Sequence, residues 1–322
     1  MNAPGGLTHS PLSVELAPGK DGLRKAGCMT GFTIAHLTDA HLPLHGGFSA
    51  RELLGKRALS ALNWARSRRA LHLRTIADRL RADVMAHRPD HVAMTGDAVN
   101  FGLPREFGGA AEWLAGFGPG EQVSFVPGNH EALVAGVETE RDARFAPFIA
   151  SDRGAGWPWV RRRGPVALIG VSTAIATPLL YAKGAAGLAQ IDGLRAHLSA
   201  TRGLCRIVLI HHPPTAMSKP RKALRDRKAV AAAIAEAGAD LVLHGHNHKS
   251  QLSWIDAGAI RIPVLGAPSA STPPGTGHEP AEWRLITISA EGRGHRIEIL
   301  RRAVTATGEF ADRGRFSLPS AS

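Results

Sequence analysis

The segment Leu241–Ser250 reads LVLHGHNHKS, an apolar strand-like run that closes on His244, His246 and His248. Residues two apart on an extended chain point to the same side, so His246 and His248 can converge on one object. Imidazole is a common metal ligand, yet an isolated HxH is more often a polar turn, because a metal site must be closed by ligands from elsewhere. Four other strand-like runs end in residues able to close it. TDAH sets Asp39 and His41 two apart, TGDAVN presents Asp97, PGNHE presents Asn129, His130 and Glu131, and IHHPP presents His211 and His212. Singly, each has a structural explanation: a helix cap for Asp97, a turn for Asn129, a strand-end imidazole for His212. Ligands of α/β sheets bind beyond the carboxyl ends of the strands, and five such clusters in that position point to one crevice.

Asp39, His41, Asp97, Asn129, His211, His246 and His248 are too many groups for a single ion of four- to six-fold coordination. If Asp97 bridges, two ions share the set and keep positions open for water and substrate. Two ions roughly 3.5–4 Å apart clamp the attacking and leaving oxygens of a phosphoryl hydrolysis. Mixed imidazole and carboxylate donors suit Mn, Fe, Co or Zn and do not choose among them.

Strands and helices must hold these clusters. Short runs rich in Val, Ile and Leu occur at 32–37, 91–96, 122–128, 166–172, 206–212, 241–245, 262–267, 283–289 and 295–301, the pattern of strands covered on both faces. Helical patterns fall at 51–87, 105–116, 187–202 and 221–238. Alternation of the two types gives a layered α/β domain, with two packed sheets because the late strands come with little helix between them. The expected organisation is a tail over 1–29, one domain over 30–305 and a second tail over 306–322. The stretch from Arg51 to Arg81 reads as the longest and most basic helix, with Leu59, Leu62, Leu71 and Ile76 among its apolar residues and Arg66, Arg68, Arg69 and Arg74 among its basic ones. A solvated basic face is its favoured reading over a phosphate- or lipid-binding surface.

Composition bounds the rest. Of 322 residues, 44% are hydrophobic and 20% charged, an ordinary globular balance rather than a disordered one. Two cysteines without metal-type spacing exclude a disulfide framework. No run reaches the ~18–20 apolar residues that span a bilayer, and the N-terminus lacks the pattern of a signal peptide; a cytoplasmic location is expected. The net charge of +12 suits an anionic partner such as a phosphate compound or an acidic membrane face, and equally suits a soluble arginine-rich protein.

In order, DxH, GD, GNH, H and GHxH resemble the motifs of the calcineurin-like metallophosphoesterases, over roughly residues 32–270. The resemblance implies a four-layer α/β/β/α sandwich with two mixed sheets and a dinuclear site at the strand ends. It implies one ion on Asp39, His41, Asp97 and His248 and another on Asp97, Asn129, His211 and His246. His211 is preferred to His212 because it stands two residues before the first proline, as the family's ligand does. His130 would face the substrate phosphate, with Glu131, where relatives usually have Asp, able to orient it. The implied chemistry is in-line attack by a hydroxide bridging two divalent or trivalent ions, His130 or a metal-bound water assisting the leaving group.

GDAVNFG lacks the arginine of the GDxVDRG motif of protein serine/threonine phosphatases. GDAVNFGLPREFGGAAEWL is similar instead to bacterial phosphodiesterases that include class III cyclic-nucleotide and glycerophosphodiester enzymes. The expected activity is hydrolysis of a phosphodiester bond in a small molecule. The alternative is hydrolysis of a lipid-linked pyrophosphate, with peripheral contact to an anionic membrane through the basic stretch. A metal-binding scaffold without activity is disfavoured by the complete ligand set, and nucleic acid is disfavoured as a partner.

Overall fold

Strand β1 (Phe32–Leu37) shows how the layers arise: Ile34 packs into an apolar layer between two sheets, while Ala35 and Leu37 pack into a second layer under helices. A period of two with both faces apolar requires cover on both sides. The computed structural model describes residues 31–318 apart from His45, Leu54 and Arg293; the tail expected over 1–29 lies outside the described residues.

The first sheet also contains β2 (His91–Met94), β3 (Val123–Phe125), β10 (Glu282–Glu291), β11 (Gly294–Val304) and β12 (Phe310–Leu318), in the order β12-β11-β10-β1-β2-β3. The second has the order β4-β5-β6-β7-β9-β8, from β4 (Trp159–Arg163), β5 (Val166–Val171), β6 (Cys205–Ile210), β7 (Leu241–His244), β8 (Gln251–Ala257) and β9 (Ile260–Gly266). Both are mixed. β1, β2 and β3 run parallel, as do β5, β6, β7 and β9, while β10 to β12 and the edges β4 and β8 pair antiparallel.

Helices α3 (Arg74–Ala86), α4 (Pro104–Ala115) and α5 (Glu138–Ile149) cover the first sheet through Leu80, Phe107, Trp113 and Phe145. Helices α6 (Leu188–Ala200) and α7 (Arg227–Ala237) cover the second through Leu194, Leu198, Val230 and Ile234. Leu168, Leu209 and Leu243 meet Ile286 and Ile299 between the sheets. The result is the four-layer α/β/β/α sandwich.

Two sequence expectations need correction. The long helix over 51–87 is broken: α1 (Lys56–Asn63) passes into a π-helical turn (Trp64–Arg68) and a last short turn, α2 (Arg69–Leu71), before the chain becomes extended at His72 and Leu73. Tertiary contact overrides helix periodicity there, since Leu73 N donates to Ser271 O at 3.0 Å. In place of a tail beginning at 306, β12 forms the sheet edge, paired with β11 in a register shifted between Arg301 and Arg302. Its mostly exposed residues carry no apolar alternation to betray it.

Candidate metal centre

Every candidate ligand except Asn129 and His211 sits in a backbone conformation that its residue type does not favour. Asp39, His41, Asp97, His246 and His248 have φ of 54°, 42°, 52°, 70° and 52°, the left-handed region, which costs a non-glycine residue about 1–3 kcal/mol and persists only where the surroundings impose it. The loops impose it on one another. Asp39 N donates to Gly96 O at 2.9 Å, His41 N to Asp97 O at 3.0 Å and Gly245 N to His211 O at 3.1 Å. Gly245 has no alternative, because a Cβ there would run into the Thr38 hydroxyl and the Asp39 carboxylate.

A buried carboxylate ties two of these loops. Glu131 accepts from Asp97 N at 2.9 Å, Ala98 N at 2.7 Å, Val99 N at 3.0 Å and Gly128 N at 2.6 Å. It therefore does not orient His130, contrary to the expectation from the motif. Instead His130 Nδ1 donates to Asn100 O at 2.6 Å, and Arg68 donates to His130 Nε2 at 3.0 Å.

The seven candidate ligands lie together at the strand ends. Asp39, His41, Asp97 and His248 bring ligand atoms within 4.8 Å of one another, and His211, His212 and His246 do the same beside them. Asp39 Oδ1 is 3.0 Å from His248 Nε2, His41 Nε2 is 3.1 Å from His248 Nε2, and Asp97 Oδ2 is 3.3 Å from His211 Nε2. Asp39 Oδ1, Asn129 Oδ1 and His211 Nε2 are buried without a hydrogen-bond partner. Buried polar atoms left unmatched need an explanation, and a cation among crowded acceptors supplies one.

The outer nitrogens agree with this arrangement. His41 Nδ1 donates to Val99 O at 3.2 Å, His211 Nδ1 to Thr95 O at 2.6 Å and His246 Nε2 to Lys222 O at 2.9 Å. Each imidazole thus spends one nitrogen on a carbonyl and turns the other inward, as metal-binding histidines do. His212 differs, with both nitrogens engaged, at 2.7 Å from Thr173 Oγ1 and 3.3 Å from Ala182 O.

Charge follows the same pattern. Burial opposes ionisation of Asp97, but the imidazoles of His211, His130 and His41 outweigh it and hold the carboxyl well below its usual range. Burial likewise opposes charge on His211, yet Asp97 pushes it up to about 9. His41 and His246 are driven well below their ordinary value, first by burial and then by neighbouring cationic groups. Burial lowers His130 to about 4, with Arg68 adding to the effect, so this side chain is neutral near pH 7.

No sequence motif marks His72. It is buried, with Nδ1 2.9 Å from Ser271 Oγ, and its ring lies 4.4 Å from that of His41. Arg68, which the sequence groups with solvated arginines, in fact reaches the centre, while Arg66 and Arg69 are exposed. A cavity of about 520 Å³ opens above the candidate ligands, roofed by the segment 56–71 through Leu59, Arg68 and Leu71 and walled by Leu180, Tyr181 and Lys222. The roof is pinned to both lips. Lys56 Nζ donates to Thr177 Oγ1 at 2.7 Å and Tyr181 O at 2.9 Å, and Arg57 donates to Phe101 O at 3.0 Å and Gly102 O at 2.8 Å.

Residues 32–250 match the model of the calcineurin-like phosphoesterases. The chain belongs to that family. Among solved structures, this calcineurin-like phosphoesterase is similar to a dimetal phosphatase from Danio rerio, at 13% identity and a TM-score of 0.55, covering 88% of this chain and 98% of that one. It is also similar to GAP50, the anchor in the inner membrane complex of Plasmodium, at 11% identity and a TM-score of 0.50, covering 91% and 90%. At these identities the likeness is one of fold. No curated protein matches the chain at a significant level. Among the described residues, no helix is long and apolar enough to cross a membrane.

Proposed function

We propose that this calcineurin-like phosphoesterase hydrolyses a phosphodiester bond of a small molecule, in the cytoplasm, with two metal ions held by Asp39, His41, Asp97, Asn129, His211, His246 and His248. The observation that carries the reading is the set of candidate ligands gathered from five strand ends beneath a cationic cavity, three of them, Asp39, Asn129 and His211, with a buried acceptor that has no partner. When bound, the ions would supply an activated water nucleophile and neutralise charge on the phosphoryl oxygens. Asp97 lies between the two groups and is the bridging candidate. His130, fixed by Asn100 O and accepting from Arg68 at Nε2, lines the cavity as the candidate catalytic residue of the chain itself, holding the Arg68 guanidinium toward the substrate phosphate. Leu59, Leu71 and Tyr181 line the cavity and would pack against the organic substituent. The test is hydrolysis of bis-p-nitrophenyl phosphate by protein stripped of metal and reloaded with Mn, Fe, Co or Zn. Absence of turnover with two equivalents bound refutes the reading.

A second reading, cleavage of a lipid-linked pyrophosphate at the inner face of the membrane, is favoured by one observation. Leu179, Leu180 and Tyr181 stand exposed by 51%, 70% and 44% beside the cavity. Co-sedimentation with anionic vesicles that depends on these three residues separates it from the first.

A further inference from the structure

Two cations of the cavity have no carboxylate of their own. Arg68 lies 3.0 Å from His130 Nε2 and 3.5 Å from His41 Nε2, at the end formed by Asp39, His41, Asp97 and His248. Lys222 stands at the other end: its carbonyl accepts from His246 Nε2 at 2.9 Å, and its side chain lines the same cavity. Among the described residues neither forms an ion pair, and the acids that face them are Asp39 and Asp97, both candidate metal ligands. The remaining charges near the cavity are accounted for. Lys56 is spent on Thr177 and Tyr181, Arg221 is exposed at the rim, and Glu279 accepts from Ser250 N at 2.6 Å.

Two divalent ions already outweigh the Asp39 and Asp97 carboxylates, and a simple diester brings one negative charge. Arg68 and Lys222 then add positive charge to a partly desolvated space. Cations removed from water are costly unless paired, so a ligand carrying a second anionic group fits this cavity better than a monoanion.

We propose that Arg68 and Lys222 are substrate-binding residues and that the substrate carries a second phosphate adjoining the scissile one, as in a diphosphate ester. The proposal rests on the phosphoesterase reading of the cavity. Arg68 offers a planar fork to one phosphate and Lys222 a point charge to the other. Arg66 and Arg69, on the same segment, line a separate shallow depression with Ala65 and Ala70 and take no part.

The probes are inorganic pyrophosphate and inorganic phosphate. Each is titrated calorimetrically into metal-loaded protein, in buffer holding the free ion, and each is measured as a competitor of bis-p-nitrophenyl phosphate hydrolysis. Pyrophosphate should bind at least about tenfold more tightly than phosphate. Arg68→Gln and Lys222→Gln should each weaken pyrophosphate about 10- to 100-fold, the scale of a lost charge-assisted hydrogen bond, with smaller losses for phosphate. Arg68→Lys and Lys222→Arg should recover part of the loss, and Arg66→Gln should leave pyrophosphate binding unchanged. Equal affinity of the wild type for the two anions, or pyrophosphate binding insensitive to both glutamine variants, overturns the proposal. Failure of the enzymatic reading shows separately, as no hydrolysis with both ions bound while pyrophosphate binding still depends on Arg68 and Lys222.

Discussion

Glu131→Gln asks whether the loops of the centre are held by a carboxylate or by the ions themselves. Oε1 accepts from Ala98 N and Val99 N, and Oε2 accepts from Asp97 N and Gly128 N. Glutamine keeps the shape but replaces one oxygen with an NH2 group that faces two N–H donors. Whichever way the amide turns, two buried donors lose their acceptor. At about 1–3 kcal/mol for each, the loss is about 2–6 kcal/mol, a large share of the ~5–15 kcal/mol that holds a typical domain. Because Glu131 bonds only to backbone, the loss should appear without metal. Urea unfolding of metal-free wild type and variant measures it, and metal titration of the folded variant should show weaker binding through displaced Asp97 and Asn129. A variant within about 0.5 kcal/mol of the wild type, the range of neutral surface changes, and with full metal content would refute the reasoning.

Asp97→Asn should leave a folded protein that binds less than two equivalents of metal and has very little phosphoesterase activity; normal metal content with near-normal turnover would remove Asp97 as the bridge. His211→Ala should weaken metal binding, whereas His212→Ala should loosen the Thr173 and Ala182 contacts, lower the melting temperature and spare metal affinity, an order that metal titration and thermal unfolding can reverse. His130→Ala should keep both metals and lose roughly 10²–10⁴-fold in kcat. Since His130 is pushed down to about 4, it is neutral between pH 6 and 8. Its Nε2 accepts from Arg68, so it acts by holding that cation; its loss should be equal for good and poor leaving groups, and a loss confined to poor leaving groups would restore it as the acid.

Strands are the most legible part of the chain. Runs such as FTIAHL and VALIGV are apolar on both faces because helices and a second sheet cover them, and the polar clusters come directly where β1, β2, β3, β6 and β7 end. Most of the site features hidden in the sequence are side chains whose role is set by contacts distant along the chain. α5 and β8 are hard to see because exposed residues blur the pattern, and β4 because a buried arginine, Arg161, stands at an inward position. His72 belongs to no motif and reaches the centre only because Ser271 holds it. Arg68 looks like its neighbours Arg66 and Arg69 until the helix is wound, when one of the three turns inward. Glu131 stands next to His130 in the motif, but a side chain one carbon longer than aspartate reaches the backbone of two loops instead.

That winding has an evolutionary consequence. The turn Trp64–Arg68 is π-helical, one residue wider than an α turn, and it lies between the fixed points at Lys56 and Arg57 and the anchored His72. Loss of a single codon there would restore α geometry while the anchored residues on either side kept their places, so the change would be confined to which side chain of the turn faces the cavity. A lineage could thus retune which anions it accepts through a one-residue deletion or insertion, with all five metal-site motifs left intact.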